Sequence, residues 1–250
     1  MRQLAVIFLV FLSHVLLAQE AERQFEQANQ LYRSGEYQKA AALYEQIILN
    51  GYEDPTLYYN LANAYFKLKS IPAAILNYER SFRLSPNDDD ISYNLRLANL
   101  HVVDKIESIP RLFFIDWWWA FINIFSSDEW VIVGIISLWS AVLAGGIYLV
   151  IRPVLLRRIS FVVSSLAVLV CLVSFVGAYQ RIHRERSENS AIVFSPSVSV
   201  KSSPDEQSTD LFVLHEGVKV ELVDTIGEWK KIRLTDGKIG WVEQEHLQVI

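Results

Sequence analysis

The chain has 250 residues, a formal net charge of -5, a single cysteine and a mean hydropathy of +0.21, with 52% apolar residues. The acidic balance argues against nucleic acid as a partner. One cysteine, Cys171, excludes an internal disulfide and a cysteine-based zinc site. The apolar excess over an average soluble domain lies in three long runs with polar sequence between them. The first run makes residues 1–18 read as a secretory signal: Arg2, then an apolar stretch over 4–17, then the small Ala18 before Gln19 and Glu20. If uncut, the same segment anchors the N-terminus with the same orientation, and either way the residues after it are expected outside the cytoplasm.

Residues 21–106 repeat with a period of 34. Ala28 falls on Ala62, Asn29 on Asn63, Ala40 on Ala74 and Tyr44 on Tyr78. Leu31-Tyr32 falls on Tyr65-Phe66, and Asn60-Leu61 falls on Asn94-Leu95, opening a third unit. Two antiparallel helices approach closely only where small residues face each other, and the four alanines supply those contacts. Gly35 and Pro86 mark turns. This pattern resembles the tetratricopeptide repeat. The units fall over about 21–54 and 55–88, with a helix over 89–106 sealing the open face. The resemblance implies a peptide groove lined by the first helices, here Phe25, Asn29, Tyr32, Tyr59, Asn63, Phe66 and Tyr93. The two asparagines match family positions that hydrogen-bond a ligand backbone. The lysine of carboxylate-clamping relatives is replaced by Phe25, so an extended or helical partner segment is expected instead of a free carboxylate. The alternative is that these aromatics pack within the array.

Residues 111–127 are apolar and aromatic-rich but too short to span a bilayer. Trp117, Trp118 and Trp119 suit the headgroup region, so an interfacial helix is expected. It can also cover the end of the repeat region. Two charge-free runs follow, at 130–151 and 159–180. Each is long enough to cross a bilayer core at ~1.5 Å per residue. Ser126 and Glu129 have capping-box spacing at the start of the first. Arg152, Arg157 and Arg158 mark the connection as a tight cytoplasmic hairpin. The flank after the second run, with Arg181, Arg184 and Arg186, is also basic. Local charge would place it in the cytoplasm; parity after an exported N-terminus and two spans places it outside, and parity decides here.

From residue 190 to 250 the composition turns to short alternating runs: 198–200, 211–214, 218–222 and 229–234. Gly217, Gly227 and Asp236-Gly237 are turn signals between them. The tail over 237–242 resembles the closing strand of bacterial SH3-like domains. Trp229 and Trp241 form either a ligand shelf or core. Elsewhere such a module binds cell-wall peptides or protein segments.

The predicted fold class is therefore a multidomain membrane protein: all-α tetratricopeptide repeats, two transmembrane helices as a hairpin, then a small all-β SH3-like barrel. The order of parts, with the segments 104–110, Leu214-His-Glu-Gly217 and Gly240-Trp-Val242, resembles BatE-type proteins of the Bacteroides aerotolerance operon. The leader and the parity of the spans give the expected location: the bacterial inner membrane, with both modules in the periplasm. The resemblance implies partners among von Willebrand factor A domain proteins and a MoxR-type ATPase system, and a link to oxygen or stress tolerance. No catalytic residue, metal site or cofactor is expected. The histidines His14, His101, His183, His215 and His246 lack ligand-spaced companions, and Asp88-Asp89-Asp90 reads as a solvated turn and helix cap. The spans hold no ionisable pathway. The expected function is a non-enzymatic membrane-anchored scaffold; the alternative is an envelope sensor that grips peptidoglycan through the SH3-like domain.

Overall fold

The computed structural model describes residues 19–106, 113–187 and 189–250. The leader expected over 1–18, residues 111 and 112 of the Trp-rich segment and residues 107–110 of the 104–110 motif lie outside the described residues. The described chain forms two compact units. One joins the helical N-terminal region to the C-terminal sheet; the other contains the long apolar helices.

The helical region has α1 (residues 19–33), α2 (Tyr37–Leu49), α3 (Pro55–Lys67), α4 (Ile71–Leu84) and α5 (Asp89–Asn99). The local signals recur with the sequence period. Asp54 caps α3 by accepting from Thr56 N at 2.8 Å and Leu57 N at 3.1 Å. Asp88 caps α5 by accepting from Asp90 N at 2.9 Å and Ile91 N at 3.2 Å. Gly35 ends α1 at φ +83°, and Lys69 occupies the matching place after α3 at φ +60°. Glu36 N bonds Leu31 O at 2.9 Å, and Ser70 N bonds Tyr65 O at 3.0 Å, closing both helix ends in the same way. Ala28, Ala40, Ala62 and Ala74 are all completely buried, which lets paired helices meet closely.

The helix expected over 89–106 is shorter than its span. It stops at Asn99, and the chain then runs without regular structure through Val102 to Ile106. The β-branched pair Val102-Val103 followed by Asp104 is a poor helix former. Burying Val102 elsewhere is the compensating gain.

The C-terminal sheet is all antiparallel, with β1 (Ser190–Val193), β2 (Ser197–Lys201), β3 (Asp210–His215), β4 (Lys219–Ile226), β5 (Trp229–Arg233), β6 (Ile239–Glu243) and β7 (Leu247–Val249). Their order is β3-β2-β6-β5-β4-β1-β7. The interior strand β1 comes from a buried Ser-Ala-Ile-Val run, and the edge strand β7 from a tail whose alternation is too short to read in sequence.

The segments that the sequence separates by two apolar runs share one core. Ala74, Ile75, Tyr78, Ala98 and Val102 from the helices pack in one cluster with Ile192, Val193, Val218, Val220 and Val242 from the sheet. Gly217, at φ +89°, lets the sheet close on the helices: a Cβ there would stand 2.9 Å from Val102 Cγ2 and 3.3 Å from Ile75 Cδ1. Polar contacts surround this seam. Asp104 accepts from His215 N at 2.7 Å and meets His215 Nδ1 at 3.0 Å. Lys219 Nζ lies 2.8 Å from the largely buried Glu79 carboxylate. Arg80 and Arg83 donate to the backbone oxygens of Val249 and Ile250, both at 2.9 Å.

The second unit holds α6 (Phe113–Ile122), α7 (Ser127–Val150) and α8 (Val154–Ser187). Both α7 and α8 are long and apolar enough to cross a membrane. Ser126 and Glu129 form the reciprocal capping box at the start of α7. The connection is tighter than the expected 152–158 loop. Pro153 O accepts from Arg157 N at 3.0 Å, so helix α8 starts at Val154, with Arg157 in its first turn and Arg158 just after it. Arg157 stacks over the Tyr148 ring at 4.8 Å, tying the two helices at that end. Small residues form the seam: Ser164 Oγ donates to Ala141 O at 3.0 Å, and Gly177 lies against the face of Trp130.

Candidate interaction surfaces

The sequence places seven residues along the first helices, and the repeat gives them matching surroundings. Asn29 Oδ1 accepts from the Tyr44 hydroxyl at 2.7 Å; one period later, Asn63 Oδ1 accepts from the Tyr78 hydroxyl at 2.6 Å. Phe25 packs on Tyr44 at 5.9 Å between ring centroids, and Tyr59 packs on Tyr78 at the same distance. Tyr44 and Tyr78 are buried. Burial pushes the Tyr44 hydroxyl up to about 12 and raises that of Tyr78 as well, because the phenolate would lose its hydration.

Asn29 Oδ1 also accepts from Asn60 Nδ2 at 3.1 Å, so both of its lone pairs are used inside the array. What Asn29 can offer a ligand is its amide N–H group. Asn94, the period mate of Asn60, donates to the Tyr59 hydroxyl at 2.8 Å instead. Asn29, Tyr32, Arg33, Tyr44 and Asn60 together line a pocket of about 240 Å³. The sequence reading missed Arg33 and Asn60 as lining residues. The 34-residue match of Asn60 with Asn94 was the available signal for the second; nothing in the pattern marks Arg33. Phe66 stacks edge-on against His101 at 5.4 Å, whereas Tyr93 is 62% exposed.

In the sheet, β5 and β6 pair Lys231 with Trp241 and Trp229 with Glu243, so both tryptophans lie on one face. They do not make a shelf of two open rings. Trp241 is only 8% exposed, held between the cross-strand residues Lys201 and Lys231, with Lys231 Nζ 5.7 Å from its ring centre. Trp229 is half-buried. The short turn Gln244–His246 brings Glu243, Glu245 and His246 together, their ligand atoms within 4.8 Å of one another. These three residues are near neighbours in the sequence as well, and the expectation of no metal site is neither supported nor contradicted by their proximity.

In α6, Trp117 is 71% exposed and Trp118 is also open, while Trp119 is half-buried. Trp118 Nε1 donates to Gln180 Oε1 at 2.8 Å, fixing α6 against α8. Arg152 lies in the α7–α8 connection, and Arg157 and Arg158 lie near the start of α8.

Residues 25–89 match the family profile described as tetratricopeptide repeat, and residues 196–248 match that of the bacterial SH3 domain. The chain carries one region of each. No curated protein matches it. Both families are interaction modules, so tetratricopeptide and SH3 surfaces are where partners are to be sought. Of the two tryptophans in this region, the half-buried Trp229 is the more accessible.

Proposed function

We propose that this protein is a membrane-anchored scaffold that gathers partner proteins through its tetratricopeptide groove and its SH3 domain. The observation that carries the reading is the shared core of the two modules. A chain that leaves this core, passes through α7 and α8 and returns to it must make an even number of crossings. The two helices then form a hairpin, with Arg152, Arg157 and Arg158 at its cytoplasmic turn and both modules on the periplasmic face of the inner membrane. Displaying two interaction surfaces on one rigid body raises their effective concentration for a shared partner. The order of parts supports partners of the aerotolerance-operon kind: von Willebrand factor A domain proteins, and a MoxR-type ATPase system across the membrane.

The groove is tested at Tyr32, which is half-buried, and Tyr93, which is exposed. Cross-linked partners recovered from membranes with the wild-type chain are expected to be lost from a Tyr32→Ala/Tyr93→Ala variant. Equal recovery would remove the groove from the reading. Sedimentation of the full chain, in detergent, with purified peptidoglycan would instead favour the wall-gripping alternative.

A further inference from the structure

We propose that Glu243, Glu245 and His246, at the turn from β6 to β7, bind one divalent transition-metal ion of the zinc kind. Their ligand atoms lie within 4.8 Å of one another, and His246 Nε2 is 3.7 Å from Glu245 Oε1. A tetrahedral ion with bonds of about 2.0–2.2 Å holds its ligand atoms roughly 3.3–3.6 Å apart. Small side-chain rotations at this turn are enough to close on one. The donor set selects the ion: an imidazole with two carboxylates suits zinc and its first-row neighbours, whereas calcium and magnesium take oxygen ligands. Three protein ligands leave a fourth position for water. The site uses none of the groove residues.

Proximity alone does not make a metal site, and three further features distinguish this turn. The first is the far side of the imidazole. His246 Nδ1 lies 2.7 Å from Ser195 Oγ, in the chain just after β1. With an ion on Nε2, Nδ1 carries the ring proton and donates it to that hydroxyl. This fixes the tautomer and the ring plane, as the outer partner of a metal-bound histidine does. The second is charge. Two carboxylates are drawn together here, and among the described residues neither is paired with a lysine or arginine. A cation between them relieves their repulsion. The third is the backbone. Glu243 pairs with Trp229 in the β5–β6 ladder, Gln244 N donates to Glu228 O at 2.8 Å, and Phe194 N donates to His246 O at 2.9 Å. The main chain carrying the three ligands is therefore pinned on both sides before an ion arrives, which leaves little ordering to be done on binding.

The test is calorimetric titration of zinc chloride into the chelator-stripped full chain in detergent, with calcium and magnesium chloride titrated in parallel. A single saturable zinc site per chain is expected, with no binding of calcium or magnesium at the same concentrations. Ser195→Ala should weaken zinc binding about tenfold or more, the effect of losing an outer partner, and Glu245→Gln and His246→Gln should each weaken it further. His101→Gln, at an exposed histidine of the repeat region, is expected to leave binding unchanged. Glu245 is exposed, so its variant keeps the test decisive if His246→Gln disturbs the sheet, and hydrogen exchange checks the fold of each. Absence of saturable zinc binding, weak uptake of several ions per chain, preference for calcium or magnesium, or zinc affinity unchanged in Ser195→Ala or Glu245→Gln would overturn the proposal. Equal loss in His101→Gln would overturn it too, by placing the ion elsewhere.

Discussion

Tyr44 and Tyr78 are buried and each donates its hydroxyl to an asparagine, and this makes their protonation part of the fold. A tyrosine whose pKa is raised by folding contributes stability that is complete below its unfolded value. That stability is lost as pH rises through the folded value. For Tyr44 the window runs from the ordinary value of 10.0 up to about 12, and complete ionisation would cost on the order of 2–3 kcal/mol. Denaturant unfolding at pH 9 and pH 11.5 should show the alkaline loss. Tyr44→Phe should lower stability by about 1 kcal/mol at neutral pH and flatten the alkaline slope. A second residue-scale prediction concerns Lys69, the one described non-glycine residue at positive φ. Its period mate is Gly35, at φ +83°. Relieving the left-handed strain by Lys69→Gly should raise stability by about 0.5–1 kcal/mol, after allowing for the extra freedom of the unfolded chain. A fall in the denaturation midpoint would show that the Lys69 side chain is doing something the backbone argument omits.

At the scale of elements, the junction of α4, the 102–106 segment and the sheet decides how the molecule behaves. Gly217 stands where a side chain would strike Val102 and Ile75, at a φ that disfavours one. Gly217→Val should therefore cost roughly 2–4 kcal/mol, from left-handed strain and overpacking together. The informative readout is where the loss is felt. Because one core serves both modules, amides of α4 and of β1 and β4 should lose hydrogen-exchange protection together. Loss confined to the sheet would mean that the two modules are stable independently.

For the whole molecule, the prediction is topological. Single cysteines replacing Ser34, Ser202 and Val154, in a Cys171→Ser background, report one site in each module and one at the hairpin turn. A membrane-impermeant reagent should label the first two in intact cells and the third only after lysis. Protection of Ser202 with labelling of Ser34 would contradict a shared core in the membrane-bound protein.

Much of this was legible in the chain. The 34-residue period places Ala28, Ala40, Ala62 and Ala74 at helix contacts, because only small residues permit that approach. Charge-free runs of 22 residues yield long helices that present apolar side chains outward. Ser126 and Glu129 announce the start of α7. These signals are local or periodic, so the sequence carries them directly. What the tertiary structure alone decided involves residues far apart in the chain. Asn29 gives both lone pairs to Tyr44 and Asn60, so its oxygen braces the array from within. Between the shelf and core alternatives, Trp241 is buried between lysines on neighbouring strands. The union of the repeats with the SH3 domain rests on Val102 meeting Gly217 and Asp104 meeting His215, across 111 residues in the latter case. No period or spacing encodes such meetings; they follow from two apolar surfaces, each incomplete alone, excluding water together.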